Sequence, residues 1–233
     1  MSDHSKFVDD LMERSVAVVE GLRADEVIGR FIDDSLPLPG PFVGTGPIRL
    51  VILGQDPTVE LLESRKRVST VLMLNEKGRN LYPFVERICR GLGVSLEENL
   101  YATNICKNFF TEPPERVTEP DLIGLSWAKW RGLLDEELAQ FPDAAIVTLG
   151  NPILRVLVKP PSSQDLKHYW GHTEEWKAKG RCEFRHVEPT SSSFGRQFFP
   201  FPHITNTKAT ALYRQHFDEY LAFTRSTITK EAS

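Results

Sequence analysis

The sequence predicts an α/β fold, a three-layer α/β/α sandwich around a central, mostly parallel four-stranded sheet. Three observations carry this expectation. Strand-like apolar runs alternate with helical patterns through the middle of the chain, the order of a parallel sheet with right-handed crossovers. The run Leu50-Val51-Ile52-Leu53 is apolar on both faces, as in a strand covered on each side. Three runs also end in, or lead into, a polar group, and in open α/β sheets ligands bind outside such carboxyl ends.

Length and composition agree. With 233 residues, 26% charged and 40% apolar, the chain suits one sizeable domain with a real core. We therefore read 1–233 as one domain, with 1–35 a helical extension packed on it. A net charge of -4 does not mark a nucleic-acid binder, so any such binding needs a local patch. No apolar run exceeds about four residues and the first residues carry no signal-peptide core, which points to a cytoplasmic protein without a membrane segment. Cys89, Cys106 and Cys182 lack close pairing and read as reduced packing residues. No metal or cofactor is expected.

In chain order, Phe7, Val8, Leu11, Met12, Val16, Val19, Leu22, Val27 and Phe31 recur at helical spacing and suggest two packed helices over 5–33. Residues 36–47 hold four prolines and three glycines and read as a stiff loop. The strand Leu50 to Leu53 follows, then Gly54-Gln55-Asp56-Pro57-Thr58. Arg65-Lys66-Arg67 reads as solvated surface. Residues 69–75 form a short apolar piece and Leu81 to Leu92 an amphipathic helix. Leu100 to Asn104 is a second strand, Trp127 to Leu138 a helix, and Ala144 to Gly150 a third strand with glycine at its carboxyl end. After a looser Lys-, Trp- and Ser-rich region, Cys182 to Val187 is a further strand. Gln197 to Pro202 then leads into His203, and a last helix runs from about Ala209 to Phe223.

Asp56, Asn104 and His203 all fall at candidate strand ends, which share one edge in a parallel sheet. Alone, Asn104 could cap a turn and His203 could be an ordinary loop histidine. Together, a carboxylate, an amide and an imidazole supply a base or cation stabiliser, a reader of an amide edge and a donor to a developing oxyanion. His186 lies on another expected strand and is the alternative histidine; His203 is preferred because it directly precedes the polar loop and last helix.

These residues resemble the uracil-DNA glycosylase superfamily. Gly54-Gln55-Asp56-Pro57 is similar to the first signature of its best-known branch, and Tyr101 to Lys107, with Pro113-Pro114 following, to its base-reading strand end. Ala145 to Gly150 resembles the apolar strand of the thermophile-type branches. Pro202-His203-Ile204-Thr205 lies where the family has a His-Pro-Ser signature, and His216-Phe217 in the last helix also matches. The likeness runs in order over about residues 48–223.

It implies hydrolysis of the N-glycosidic bond of a flipped uracil or related damaged base in DNA, single-stranded or mispaired, by a monomer. Asp56 and His203 would be catalytic. Gly54, Gln55, Thr58, Leu72, Met73 and Asn104 would hold the base, and Lys107, Thr205, Thr207 and Lys208 would meet the backbone. Four departures stand out. Thr58 replaces the tyrosine that excludes the thymine methyl. Leu72 or Met73 takes the place of the stacking phenylalanine, unless Phe109 supplies that ring. Ile204-Thr205 replaces Pro-Ser, and the four-cysteine cluster of the thermophile-type branches is absent. A non-catalytic module that binds nucleic acid or a nucleotide is the competing reading. An unrelated nucleotide-binding enzyme is disfavoured by the lack of a Gly-rich phosphate loop.

Overall fold

A computed structural model describes residues 3–78, 81–171 and 183–231. Its centre is a mixed sheet of five strands: β2 (Phe42–Val43), β3 (Leu50–Gly54), β4 (Leu100–Asn104), β6 (Ala145–Leu149) and β7 (Phe199–Phe201), in the order β2-β4-β3-β6-β7. All neighbours are parallel except β2, which runs antiparallel to β4 through Phe42↔Ala102 and Val43↔Tyr101. The expected four strands thus become five. The extra one lies inside the proline-rich stretch read as pure loop, where only two residues pair and no periodicity can show. A separate ribbon joins β1 (Ile32–Asp33) to β5 (Phe109–Phe110).

Leu50 to Leu53 are almost fully buried, the burial on both faces that their composition requires. Helices cover the two faces: α1 (Asp3–Arg23), α3 (Leu81–Gly91), α5 (Leu122–Ala139) and the C-terminal α10 (Phe217–Glu231). Helix α5 begins at Asp121, whose carboxylate accepts from the Gly124 N–H at 3.0 Å. It starts five residues earlier than its aromatic stripe suggests. At the other end of the sheet, Trp170 stacks on Tyr220 with ring centroids 4.3 Å apart and meets Tyr213, Phe201 and Phe217, welding β7 to the C-terminal helices. No described helix is long and apolar enough to cross a membrane.

Several local expectations give way to tertiary structure. The second N-terminal helix is absent: Asp25 accepts from the N–H groups of Val27 and Ile28, an Asx turn that ends helical propagation, and only the short 3-10 turn Gly29–Phe31 follows. The last helix is three pieces, α8 (Ile204–Ala209), α9 (Ala211–Gln215) and α10, broken where Thr210 turns extended (φ −110°, ψ 116°) and where His216 leaves helical geometry. Cys182 lies outside the described residues, and of its expected strand only Val187 pairs, as an isolated bridge to Phe198. Cys89 and Cys106 are buried free thiols.

Lys107 is not at the surface. Its ammonium lies 2.6 Å from Glu137 Oε1 and donates to Thr103 Oγ1 at 2.6 Å and to the Asn104 carbonyl at 3.3 Å, while the Tyr101 hydroxyl donates to Glu137 Oε2 at 2.5 Å. Both charges are buried, so neither can find water when its partner is removed. Burial, with the Glu137 charge, holds the Tyr101 phenol well above its ordinary range. The backbone-contact role expected of Lys107 is thereby corrected: its charge is spent tying the end of β4 to α5. Glu137→Gln is expected to cost about 3–5 kcal/mol in equilibrium denaturation, and the Lys107→Met/Glu137→Gln double variant less, because it leaves no lone buried charge.

Candidate active site

Chain order places the site. From β3 the chain crosses through α3 to β4 on one side, then through α5 to β6 on the other, so the direction of winding reverses at β3. A crevice opens at the carboxyl end of such a switch point. Here it is a cavity of about 430 Å³, lined by Gly54, Gln55, Asp56 and Thr58 from the turn after β3, by Leu72 and Met73, by Leu149 and Gly150 after β6, and by His203 and Thr205 after β7.

Asp56 is half-buried and held by its neighbours. The Thr58 N–H donates to Oδ1 at 2.8 Å and Gln55 Nε2 to Oδ2 at 2.9 Å. These bonds favour the carboxylate, yet desolvation prevails and, helped by the nearby charge of Glu115, pushes the group up to about 6. Gln55 Nε2 also reaches Glu115 Oε1 at 3.5 Å, so one amide faces two carboxylates.

His203 caps α8 without a side-chain capping bond. Its Nδ1 lies 3.0 Å from Thr205 Oγ1. Burial lowers its pKa, opposed by Glu115, so the neutral ring is favoured at physiological pH. When the Thr205 hydroxyl donates to Nδ1, the ring proton sits on Nε2 as a donor. Thr207 is buried and donates to the His203 carbonyl at 3.2 Å, a helix-holding bond rather than a backbone contact with a ligand. Gly150 has φ +95°, which a side chain rarely adopts. A Cβ there would meet His203 Cβ at an ordinary 3.7 Å, so it is the backbone angle and not crowding that calls for glycine beside the histidine.

Asn104 ends β4 opposite Gly54 in register. A Cβ on Gly54 would meet Asn104 Oδ1 at 2.2 Å, so glycine is required for the amide to lie across β3. Both polar atoms of that amide are buried and have no hydrogen-bond partner.

The structure thus brings eight of the expected site residues to one cavity: Gly54, Gln55, Asp56, Thr58, Leu72, Met73, His203 and Thr205. Asn104 adjoins it beneath Gly54. Lys208 is exposed and outside the lining, and Phe109, fully buried in β5, offers no ring to the cavity. His186 pairs with Glu188 at 3.1 Å in a different cavity, which resolves the choice of histidine by position.

Sequence reasoning missed Glu115. It sits in the 3-10 turn Pro114–Arg116, directly after the proline pair that did attract notice, but nothing in the spacing told which way that turn faced. Asn206 and Pro152 were also missed as lining residues. Arg65, read as surface, is buried: Nε donates to the Val59 carbonyl at 2.6 Å and Nη1 to the Phe110 carbonyl at 2.7 Å, with Asp33 at 3.4 Å.

Fold and cavity together define an α/β protein with a cavity, lined in part by polar side chains, at the switch point of a mostly parallel sheet. The chain belongs to the uracil DNA glycosylase superfamily, whose family model matches residues 41–224, most of its length. A comparison with curated protein sequences finds no match. Membership supports a uracil-DNA glycosylase-like function in general and implies DNA as the partner.

Because the folded protein binds the Asp56 proton more tightly than the unfolded chain does, the contribution of this one group to stability is greatest at low pH and falls as pH rises from 3.8 toward about 6. Asp56→Asn carries no such charge. Denaturation at pH 4 and pH 7 should show the variant gaining on wild type over this interval by roughly 2 kcal/mol, at about 1.4 kcal/mol per pKa unit less an allowance for partial exposure.

Proposed function

We propose that the protein is a DNA glycosylase that hydrolyses the N-glycosidic bond of a flipped uracil or related damaged base. The observation that carries this reading is the meeting of the Asp56 carboxylate with a neutral His203 in one cavity at the sheet edge. Water oxygen adds to C1′ as the C1′–N bond breaks; the bonding electrons leave with the base and the water's proton passes to the Asp56 carboxylate. Asp56 orients that water and faces the positive sugar. His203 Nε2–H donates to the base oxygen as negative charge develops on it, and Asn104 offers a carbonyl and an amine to the base edge. Extruding the base costs a few kcal/mol, which favours single-stranded or mispaired targets. Thr205 and Lys208 remain candidates for backbone contacts. We read the chain as acting alone, a monomer in the cytoplasm.

A non-catalytic binding module is the second reading. One observation favours it: no Phe, Tyr or Trp lines the cavity among the described residues, so a base lacks the usual stacking platform.

Release of free base from oligonucleotides carrying uracil, thymine mismatches, hypoxanthine or hydroxymethyluracil separates the two. Asp56→Asn should abolish release and His203→Ala should lower it about a hundredfold or more, the worth of one preorganised donor. Binding without turnover by wild type would decide for the module. Since Asp56 must be ionised and His203 neutral, and both requirements are met by raising the pH, release should climb with pH to a midpoint near 6 and show no alkaline fall from these two groups.

A further inference from the structure

We propose that Leu72 is a displaceable cover over the Asn104 amide, and that a base with adjacent C=O and N–H groups gains that amide only by moving the leucine aside. The inference deepens the glycosylase reading and rests on it for the identity of the ligand.

Two side chains crowd the space above the Gly54 Cα. A Cβ built there meets Asn104 Oδ1 at 2.2 Å and Leu72 Cδ2 at 3.0 Å. Leu72 also lines the cavity and Asn104 does not, so of these two side chains the leucine is the one that meets the open space. Beneath it, Asn104 is 1% exposed and neither its oxygen nor its nitrogen has a partner. A buried amide without hydrogen bonds is costly, and a ligand able to accept from Nδ2 and donate to Oδ1 relieves that cost. A lactam or imide edge has this pairing of groups. An apolar ring does not.

The leucine is itself held in an unfavourable conformation. Leu72 has φ 57° and Met73 φ 54°, two successive left-handed residues without a glycine between or beside them in the 3-10 turn Val71–Met73. Val71 anchors the turn, fully buried and donating to the Gly40 carbonyl at 2.9 Å. The covered state therefore combines backbone strain with an unpaired amide, and the anchor at Val71 lets the next two residues change conformation without unfolding the turn's root. A site whose competent form is a minor population binds more weakly in proportion, so removing the cover should reveal the affinity it conceals.

The test uses the full chain and free bases, by calorimetric titration. Leu72→Ala and Leu72→Gly should bind uracil about tenfold tighter than wild type, with 1,3-dimethyluracil, which has no N–H, unchanged. Leu72→Gly is the safer variant because glycine relaxes the left-handed φ, and its melting temperature verifies folding. Equal or weaker uracil binding by folded variants, as for a lost stacking surface, overturns the proposal; so does an equal gain for 1,3-dimethyluracil, or no uracil binding by any form. Base release from DNA, measured on the same proteins, keeps the two readings apart. Tighter uracil binding without release supports the cover and removes the glycosylase. Release with no tightening removes the cover alone.

Discussion

The parallel pairing of β3 with β4 is the constraint from which the site follows. It sets Gly54 beside Asn104, and because Gly54 has no side chain the Asn104 amide can lie across it. A one-residue slip would turn Asn104 to the other face and put Thr103 in its place. The register is fixed from both directions: the Ile105 and Cys106 N–H groups continue the ladder onto the Gly54 and Gln55 carbonyls, and Lys107 ties the same chain end to Glu137 on α5. The buried ion pair is thus a register lock beside the site. Its net worth against an apolar replacement need not be large, but its removal on one side is severe.

A second clamp shapes the turn that carries Asp56. Thr58 gives its N–H to Asp56 and takes the Phe110 N–H on its hydroxyl at 2.8 Å, and Arg65 takes the Phe110 carbonyl from the other side. Both backbone groups of one β5 residue therefore hold the segment from 58 to 65. This changes the meaning of Thr58. At the position whose resemblance points to a tyrosine in the uracil-specific branch, this chain has a residue whose hydroxyl is committed to anchoring the turn that carries Asp56. Its consequence for base choice is the space left by the absent ring, with the methyl and hydroxyl already fixed in place.

Much of this was legible in the sequence for a physical reason. Strands buried on both faces have to be continuously apolar, so β3 and β6 announced themselves, and the polar groups that interrupt such runs had to lie at the ligand edge. Asp56, Asn104 and His203 were found that way. What stayed hidden depends on direction rather than type. Lys107 and Arg65 carry the charges expected of surface residues, but long side chains can turn inward when carboxylates and carbonyls await them, as Glu137 and Phe110 do. β2 is two residues long and exists only because β4 offers an edge. Leu72 read as a stacking substitute because sequence shows the side chain and not the sign of φ. Glu115 escaped because a proline pair announces a turn without saying which way it faces.

Unfavourable features gather within one small region: a carboxylate raised by desolvation, an amide with no partners, and two non-glycine residues in the left-handed region. None helps the chain fold, and each would be easy to remove by substitution. The apolar strands and the aromatic cluster around Trp170, by contrast, follow local preference. Such a concentration of costs at a sheet's switch point is what a binding site preorganised for a polar ligand entails, because groups kept ready for a substrate cannot also be satisfied by the protein. The lack of Phe, Tyr or Trp in the lining sharpens the point. With no such surface to hold a base by stacking, affinity must come from the polar groups, Asp56, His203 and Asn104. A site so built would discriminate by hydrogen-bond pattern before shape, since a buried amide left unpaired penalises a wrong base more than a missing methyl contact does.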